Sequence, residues 1–365
     1  MESPARPFVP PFCPRSTCRF HRCADGWRFV GHGHFSRRCE PRVIPRFRCC
    51  HCRATFSSQT FSTTYYLKRP ELQEPFFHRL LACSGFRQIA REARCAPTTV
   101  MRQAARLGRH ALLSLTLHRP VGPLAEPLVV DGFESFAYSQ YHPLHLNVVV
   151  GAGSHYVYAF THSRLRRKGR MTERQKRRRA ALERLHGRAD PRAIEHGMAA
   201  AVRLAAPEPQ ALTIRSDEHP AYPRAFRPLA GYPVRHECTP SVAARTSSNP
   251  LFPVNLLDLL LRHNNAHLKR ESIAFAKRHQ AVTERMALLT LWRNFTKPFS
   301  EAHGGGTPAM RLGLCQASLS PRELLRERLF PSRITLPAPW DRYYDRMEDT
   351  PGIANPTRHR LKRAV

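Results

Sequence analysis

Two aspartates stand at the ends of apolar, strand-like segments in the middle of the chain. Asp131 closes the segment 128–131, and Asp217 closes the segment 211–217. A lone aspartate in such a place is most often a turn former. Two carboxylates brought together repel each other, however, and are stabilised by a divalent cation such as Mg²⁺, which prefers oxygen ligands. Two such ions about 3.5–4 Å apart stabilise the attacking and leaving oxygens of a phosphoryl displacement. The pair therefore suggests phosphoryl transfer with Mg²⁺ or Mn²⁺.

The segments around these acids predict a mixed α/β domain over residues 125–300. Segments 145–150 and 155–160 are apolar and are separated by a glycine-containing turn, which predicts a β-hairpin. A strand ending in Asp, a hairpin and a second strand ending in Asp suggest an RNase H-like mixed sheet with flanking helices. In that sheet the first and fourth strands lie side by side, so the two carboxylates meet. A third acid would come from segment 253–297, which is predicted to form one long helix or two.

Seven of the eleven cysteines precede residue 53, which favours a metal site in a reducing compartment over a disulfide framework. Cys49 and Cys52 have the C-x2-C spacing of a zinc knuckle, and Cys13 and Cys18 have a looser C-x4-C spacing. Because other ligands lie nearby, the composition of the first pair stays open. The spare candidates are Cys23, Cys39, Cys50, His21 and His51. We predict a small zinc ribbon with structural Zn²⁺ over residues 8–60, since short cysteine-rich segments need metal to fold.

Residues 68–118 have the periodicity of a helical helix-turn-helix domain. Ile89 and Ala93 lie on the apolar face of a short helix, and Pro97 begins a second helix after a three-residue turn. Apolar residues then recur at helical spacing from Val100 onward and mark the buried side. The polar residues predicted to face outward toward a DNA major groove are Thr98, Thr99, Arg102, Gln103, Arg106 and Arg109. An ordinary helical hairpin is the alternative.

The chain carries 59 Lys and Arg against 27 Asp and Glu, a formal net charge of +32. Such a charge repels itself unless a polyanion neutralises it, and nucleic acid releases counterions when Lys and Arg meet its phosphates. Ten basic residues lie within 163–179, in a predicted basic helical insertion over about 163–205. Its candidate DNA contacts are Arg167, Lys168, Arg177 and Arg178.

The two ends of the chain add little to this organisation. Residues 301–365 open with three glycines at 304–306 and carry scattered prolines, so we expect a tail with little core of its own. The first twelve residues lack the apolar region of a secretory signal. No apolar run reaches the roughly 18 residues of a membrane helix, so no membrane partner is expected. A cytoplasmic, nucleoid-associated protein is the resulting expectation.

Taken in order, the cysteine knuckles, the helix-turn-helix pattern and the strand-end acids resemble a DDE-type transposase of a bacterial insertion sequence. The resemblance covers roughly residues 10–300, and its most family-like stretch runs from 249 to 278. It implies a multidomain α/β protein whose RNase H-like domain cleaves DNA and then transfers the strand. It also implies that the first two acids are Asp131 and Asp217. Double-stranded DNA of the element ends and target would be the partner, with a homo-oligomer assembling on it.

Two residues compete for the third acid. Glu271 is preferred because Arg278 lies seven residues later, two helical turns away on the same face, where such enzymes often place a basic residue for DNA contact. Asp258 is the rival, since Asn255-x-x-Asp258 resembles the Asn-x-x-Glu signature of some branches. The two acids are 13 residues apart and would lie on opposite faces of one helix, unless the helix breaks.

Two non-enzymatic functions remain as alternatives. A decayed or repurposed copy would act as a DNA-binding regulator through its ribbon and helix-turn-helix, without cleaving DNA. An RNA-binding zinc protein is disfavoured, because the major groove of A-form RNA is too narrow for a recognition helix.

Overall fold

The computed structural model describes residues 8–269, 271–354 and 358. Near the N-terminus, three strands form an antiparallel sheet in the order β1-β2-β3: β1 (Phe29–Ser36), β2 (Val43–Cys49) and β3 (Thr55–Ser57). Phe47 of β2 pairs with Phe56 of β3, and both rings are buried in a small aromatic core with Phe61. A core this small cannot stabilise the segment through apolar burial alone. A metal ion that links parts of the segment would supply additional stability.

Three helices follow the ribbon: α1 (Gln73–Leu80), α2 (Phe86–Glu92) and α3 (Pro97–Leu117). Helix α3 begins at Pro97, as predicted. Its later turns pack against a helix from later in the chain, α8 (His279–Phe295), and a Cβ at Gly108 would lie only 2.6 Å from the carbonyl oxygen of Glu284. The two helices can approach this closely because position 108 has no side chain. Helices α1–α3 therefore share one continuous hydrophobic core with the residues that follow them, separate from the core of the ribbon.

A five-stranded mixed sheet forms the centre of the molecule, in the order β6-β5-β4-β7-β8. Its strands are β4 (Leu128–Phe136), β5 (Pro143–Gly151), β6 (Val157–Arg164), β7 (Leu212–Ser216) and β8 (Val234–Cys238). The first three are antiparallel, whereas β7 runs parallel to both β4 and β8. The predicted hairpin is confirmed as β5–β6. The predicted pairing of the first and fourth strands is confirmed as well, since Leu128 pairs with Ile214.

Strand β4 does not end at Asp131, so the prediction of a strand-end carboxylate is wrong for this residue. The strand continues to Phe136 because Gly132 and Phe133 still pair with Asn147 and Leu146 of β5. Asp131 therefore lies within the sheet. Its backbone is held by a neighbouring strand on one side and its side chain has a fixed place relative to β7.

Five helices surround this sheet: α4 (Glu173–His186), α5 (Ala193–Ala205), α6 (Ala221–Phe226), α7 (Phe252–Asn264) and α8. Helix α5 packs on β5 and β6 and buries Met198 and Val202 completely. The predicted basic insertion over 163–205 was therefore too long, because its last thirteen residues form a helix with one face buried in the core. Among its described residues, α4 has none that is buried.

The C-terminal segment is not the coreless tail that its glycines and prolines predicted. It contains α9 (Pro308–Arg311), α10 (Pro321–Leu324) and α11 (Trp340–Tyr344). Trp340, Tyr343 and Tyr344 are buried in the main core, and Phe330 enters the aromatic core of the ribbon. Widely spaced aromatic anchors thus attach the segment along its length. Residues 355–357 and 359–365 of the predicted tail lie outside the described residues.

Replacing Trp340 by alanine is expected to destabilise the protein by about 3–5 kcal/mol, the usual loss for a buried large aromatic. The ring is 3% exposed, and its indole N–H donates to the Phe160 carbonyl at 3.0 Å. Trp340→Phe loses that hydrogen bond and part of the ring's packing, and is expected to cost roughly 1–3 kcal/mol, less than Trp340→Ala. Val121→Ala, at a side chain 97% exposed, is the control. Urea unfolding compares the three; a Trp340→Ala midpoint equal to that of Val121→Ala would mean that the segment does not stabilise the core.

Within the described residues, none of the helices combines the length and the apolar character needed to cross a bilayer.

Candidate active site and metal centre

Three aspartates converge beside the junction of β4 and β7. The parallel register pairs Val129 with Arg215. Two residues farther on, Asp131 lies within β4 and Asp217 directly follows the end of β7. Asp258 comes from α7, which packs against β4 and β5. The sheet and one helix thus place three carboxylates in a single region of the molecule.

The charges of these carboxylates raise one another's pKa values. Burial raises the pKa of Asp131 to about 6, and the nearby charge of Asp217 adds to the rise. Burial likewise raises the pKa of Asp258 to about 7, with the charge of Asp131 adding to it. Within the described part of the chain, the Oδ1 atom of Asp258 is buried and has no hydrogen-bond partner. A buried carboxylate oxygen without a donor, beside like charges, fits a site for a cation.

Hydrogen bonds orient two of the three acids. The backbone N–H of Gly132 donates to Oδ1 of Asp131 at 2.6 Å, and the Tyr222 hydroxyl donates to the same oxygen at 3.3 Å. The backbone N–H of His219 donates to Oδ1 of Asp217 at 3.0 Å. Tyr222 lies in the short helix predicted over 221–226, but its role was missed. Its position five residues after Asp217 was the available signal.

A histidine on the adjacent strand closes one side of the acidic site. His145 of β5 lies against Gly132, where a Cβ would come within 1.8 Å of the imidazole ring. Its Nδ1 atom lies 2.9 Å from Oδ1 of Asn147, and burial lowers its pKa to about 4. The imidazole is therefore neutral near pH 7. Any side chain at position 132 would displace this ring, so glycine is required there. No local sequence pattern indicates this requirement.

Glu271 does not join these acids, and the helix on which its choice depended is absent. Segment 253–297 forms two helices, α7 and α8, separated by residues 265–278. Glu271 is exposed in a turn of this connection, with φ +52°. Arg278 is the N-cap residue of α8, and its guanidinium donates to the Ala354 carbonyl. The predicted alignment of Glu271 and Arg278 along one helical face is therefore wrong.

The four predicted knuckle cysteines come together in the ribbon. The sulfur atoms of Cys13, Cys18, Cys49 and Cys52 all lie within 4.8 Å of one another. Those of Cys13 and Cys52 are 3.6 Å apart, close to the roughly 3.8 Å expected across a tetrahedron with Zn–S bonds of about 2.3 Å. Four thiols in this arrangement can bind one metal ion.

A tryptophan supports the second knuckle. The Trp27 indole N–H donates to the sulfur of Cys49 at 3.2 Å. Burial acts to raise the pKa of this thiol, but the hydrogen bonds from Trp27 and from the knuckle backbone lower it to about 6. The thiolate form, which is the form that binds metal, is thereby favoured.

The predicted DNA-facing surface of α3 is only partly exposed. Thr98 and Arg102 are exposed and Thr99 is half-buried, but Gln103, Arg106 and Arg109 are buried. The outward prediction is wrong for these last three because their side chains are enclosed by the fold rather than turned to solvent. Arg106 shows how: its guanidinium donates to the carbonyls of Thr63 at 3.1 Å and Tyr65 at 2.6 Å.

The basic segment around α4 has a more open surface. Lys168, Arg177 and Arg178 are exposed, as contact with phosphates would require. Arg167 is half-buried, and its guanidinium carbon lies 5.0 Å from the centre of the Tyr141 ring. The exposed residues therefore remain candidates for DNA contact, while Arg167 also holds the segment against the sheet.

Comparison with known proteins adds little to this geometry. No protein-family model and no curated protein matches the chain. Among solved structures, it is similar to a chain of the simian T-cell lymphotropic virus intasome in complex with PP2A regulatory subunit B56 gamma, at 16% identity. The match covers 70% of this chain and 74% of that chain, with a TM-score of 0.24. A likeness at this level carries no argument about fold or function.

Proposed function

We propose that the chain is a DNA transposase that cleaves DNA strands at the ends of a mobile element and joins them to target DNA. The convergence of Asp131, Asp217 and Asp258 carries the proposal. Acids on two neighbouring strands and a packed helix are the arrangement that an RNase H-like catalytic domain uses for phosphoryl transfer. In this proposal Asp258 takes the place of Glu271 as the third acid.

The three acids would hold Mg²⁺ or Mn²⁺. The donor set fits hard divalent cations, because it consists of carboxylate oxygens, one of them buried without a donor. When bound, these cations would neutralise the carboxylates and stabilise negative charge on the oxygens of an in-line displacement.

Residues of the chain itself would keep this site ready for substrate. Gly132 and Tyr222 hold one oxygen of Asp131 and leave the other available. The neutral imidazole of His145 adds no positive charge that would compete for the carboxylates. The exposed side chains of Arg102, Lys168 and Arg178 would supply phosphate contacts outside the acidic site.

The zinc ribbon would act in binding rather than in chemistry. Four thiolates around one ion leave no open position for a substrate, which is the pattern of structural zinc. The ribbon and the exposed start of α3 would bind element ends as double-stranded DNA, and an oligomer would pair two ends.

The test is metal-dependent strand cleavage. DNA flanking the gene is sequenced for inverted repeats bounded by short direct repeats, which supply the substrate. The purified zinc-loaded protein is expected to cut labelled duplex carrying such an end when Mg²⁺ or Mn²⁺ is added, and to leave a 3′-OH. Binding of the same duplex without cleavage in either metal would instead support the DNA-binding regulator.

A further inference from the structure

Two cavities meet where the ribbon joins the helical region. One, of about 720 Å³, lies between the ribbon strands and the chain that follows them. The other, of about 640 Å³, lies between the segment before α1 and helix α3. Tyr66, Leu67 and Lys68 line both cavities. We call the joined cavities the Tyr66 groove.

Positive charge lines the groove along its whole length. Arg15, Arg37 and Arg46 lie on the ribbon side, Lys68 at the junction, and Arg69 and Arg102 on the helix side. Among the described residues that line it, there is no aspartate or glutamate. One of these cations, Arg69, is paired at 2.8 Å with Glu71, which does not itself line the groove. A groove with one sign of charge concentrates anions.

A buried arginine beneath the helix side adds to this charge. Arg109 lines the cavity, is 8% exposed, and has an Nε atom without a hydrogen-bond partner in the described part of the chain. A buried cationic group with an unused donor is costly unless an acceptor reaches it. An anionic oxygen could reach the Nε atom of Arg109 through this cavity.

Tyr66 supplies an aromatic surface at the middle of the groove. It is 63% exposed although it is a large aromatic residue, and its φ of +60° lies in the left-handed region. Bulky residues rarely adopt this conformation, and such strain concentrates at functional sites. Its ring lines both cavities and lies 4.5 Å from the ring of Tyr65 in an edge-on arrangement.

We propose that the Tyr66 groove binds an unpaired segment of DNA, with a base stacked on Tyr66 and the neighbouring phosphates held by the flanking Lys and Arg. In a duplex the base faces are already stacked on one another, so Tyr66 can meet a base face only in an unpaired strand. The inference deepens the proposed function and rests on it, since strand cleavage at an element end is a source of such unpaired DNA.

The test measures the affinity of the full-length, zinc-loaded protein for a labelled twelve-nucleotide strand and for the same sequence as duplex. Tyr66→Ala is expected to weaken single-strand binding by roughly 5- to 100-fold, the loss of one base–aromatic stack, with little change for the duplex. Tyr66→Phe keeps the ring and should bind like the wild type. For single-strand binding, the slope of the logarithm of affinity against the logarithm of salt concentration should be smaller in magnitude by about 0.7 in Lys68→Ala. This is the contribution of one phosphate contact.

The chain offers a matched control in Tyr138. It is also an exposed tyrosine with positive φ, at 46% exposure and +65°, but it lies outside the groove beside His142. Tyr138→Ala should leave both affinities unchanged. A labelled strand containing 5-iododeoxyuridine should crosslink to the tryptic peptide 54–68, which contains Tyr66.

Several outcomes would overturn the inference. Equal single-strand binding by Tyr66→Ala and wild type, or equal losses for strand and duplex, would remove the stacking role. If a free mononucleotide displaced the labelled DNA strand completely, the groove would be a nucleotide pocket. If an RNA strand of the same sequence bound more tightly than the DNA strand, RNA would be the preferred ligand. Because the assay measures binding without cleavage, a chain that fails to cleave can still confirm the groove, and a transposase can fail this test.

Discussion

Asp258→Asn is expected to abolish Mg²⁺-dependent DNA cleavage, whereas Glu271→Gln is expected to leave it unchanged. The loss should be roughly a thousand-fold or more, since even one preorganised donor to a transition state contributes about 100- to 1000-fold. Asp258 is electrostatically coupled to Asp131 and has a buried oxygen without a donor. Glu271 is exposed in a turn between two helices. The comparison separates the two candidates in a single cleavage assay.

The other two acids and a strand control complete this experiment. Asp131→Asn and Asp217→Asn should be equally inactive, while Glu134→Gln changes an exposed acid on the same strand as Asp131 and should stay active. Duplex binding should persist in all variants, because the phosphate contacts that we propose lie outside the acidic site. Cleavage by Asp258→Asn together with loss in Glu271→Gln would reverse the assignment of the third acid.

Melting temperatures show whether a variant has lost cleavage only because it is unfolded. Each aspartate-to-asparagine change removes one of several repelling charges without changing the side-chain size. Burial and neighbouring charge both raise the pKa of Asp258, so its ionised form is disfavoured in the metal-free fold. Metal-free Asp258→Asn is therefore expected to melt no lower than the wild type. A lower melting temperature would mean that lost cleavage reflects lost structure.

The parts of the fold that local pattern encodes were predictable. The hairpin β5–β6 and the start of α3 at Pro97 depend on apolar alternation and on proline chemistry within a few residues. The pairing of β4 with β7 followed from strand order. The four knuckle cysteines were chosen by spacing alone and come together in the structure.

The break between α7 and α8 was harder to predict because residues 265–278 contain neither proline nor glycine. Helix α7 ends instead at a pair of asparagines, where the Asn265 side chain accepts a hydrogen bond from the His267 N–H at 3.1 Å. Asparagine competes with helical backbone bonds in this way. The Asn264-Asn265 pair was the missed signal, and missing it made Glu271 the preferred acid.

Tertiary packing decided the remaining differences. Arg106 and Arg109 are polar and were predicted to face DNA, yet both are buried, and the loop that follows the ribbon accepts the hydrogen bonds of Arg106. Nothing in the helix's own sequence encodes that loop. The C-terminal segment likewise shows no periodicity, and its anchors Phe330 and Trp340 become significant only when the surfaces that receive them are known.

Removal of zinc is expected to unfold the ribbon while the five-stranded sheet persists. Structural zinc supplies roughly 10–16 kcal/mol of apparent binding free energy in small cysteine-rich units, more than the aromatic core of this ribbon can replace. Metal analysis should find one zinc ion per chain at Cys13, Cys18, Cys49 and Cys52. Cys49→Ser should lose the ion, and hydrogen exchange over residues 29–57 should rise toward the unfolded rate.

Cys23 and Cys50 provide the matched controls for this prediction. Both are exposed cysteines of the same segment and lie outside the four-thiol cluster. Cys23→Ser and Cys50→Ser should therefore keep one zinc ion and the exchange protection of the ribbon. Protection over 212–216 in β7 should be the same in all variants, because that strand belongs to the separate main core. Stoichiometric zinc in Cys49→Ser, or its loss in Cys50→Ser, would show that a different set of ligands holds the metal.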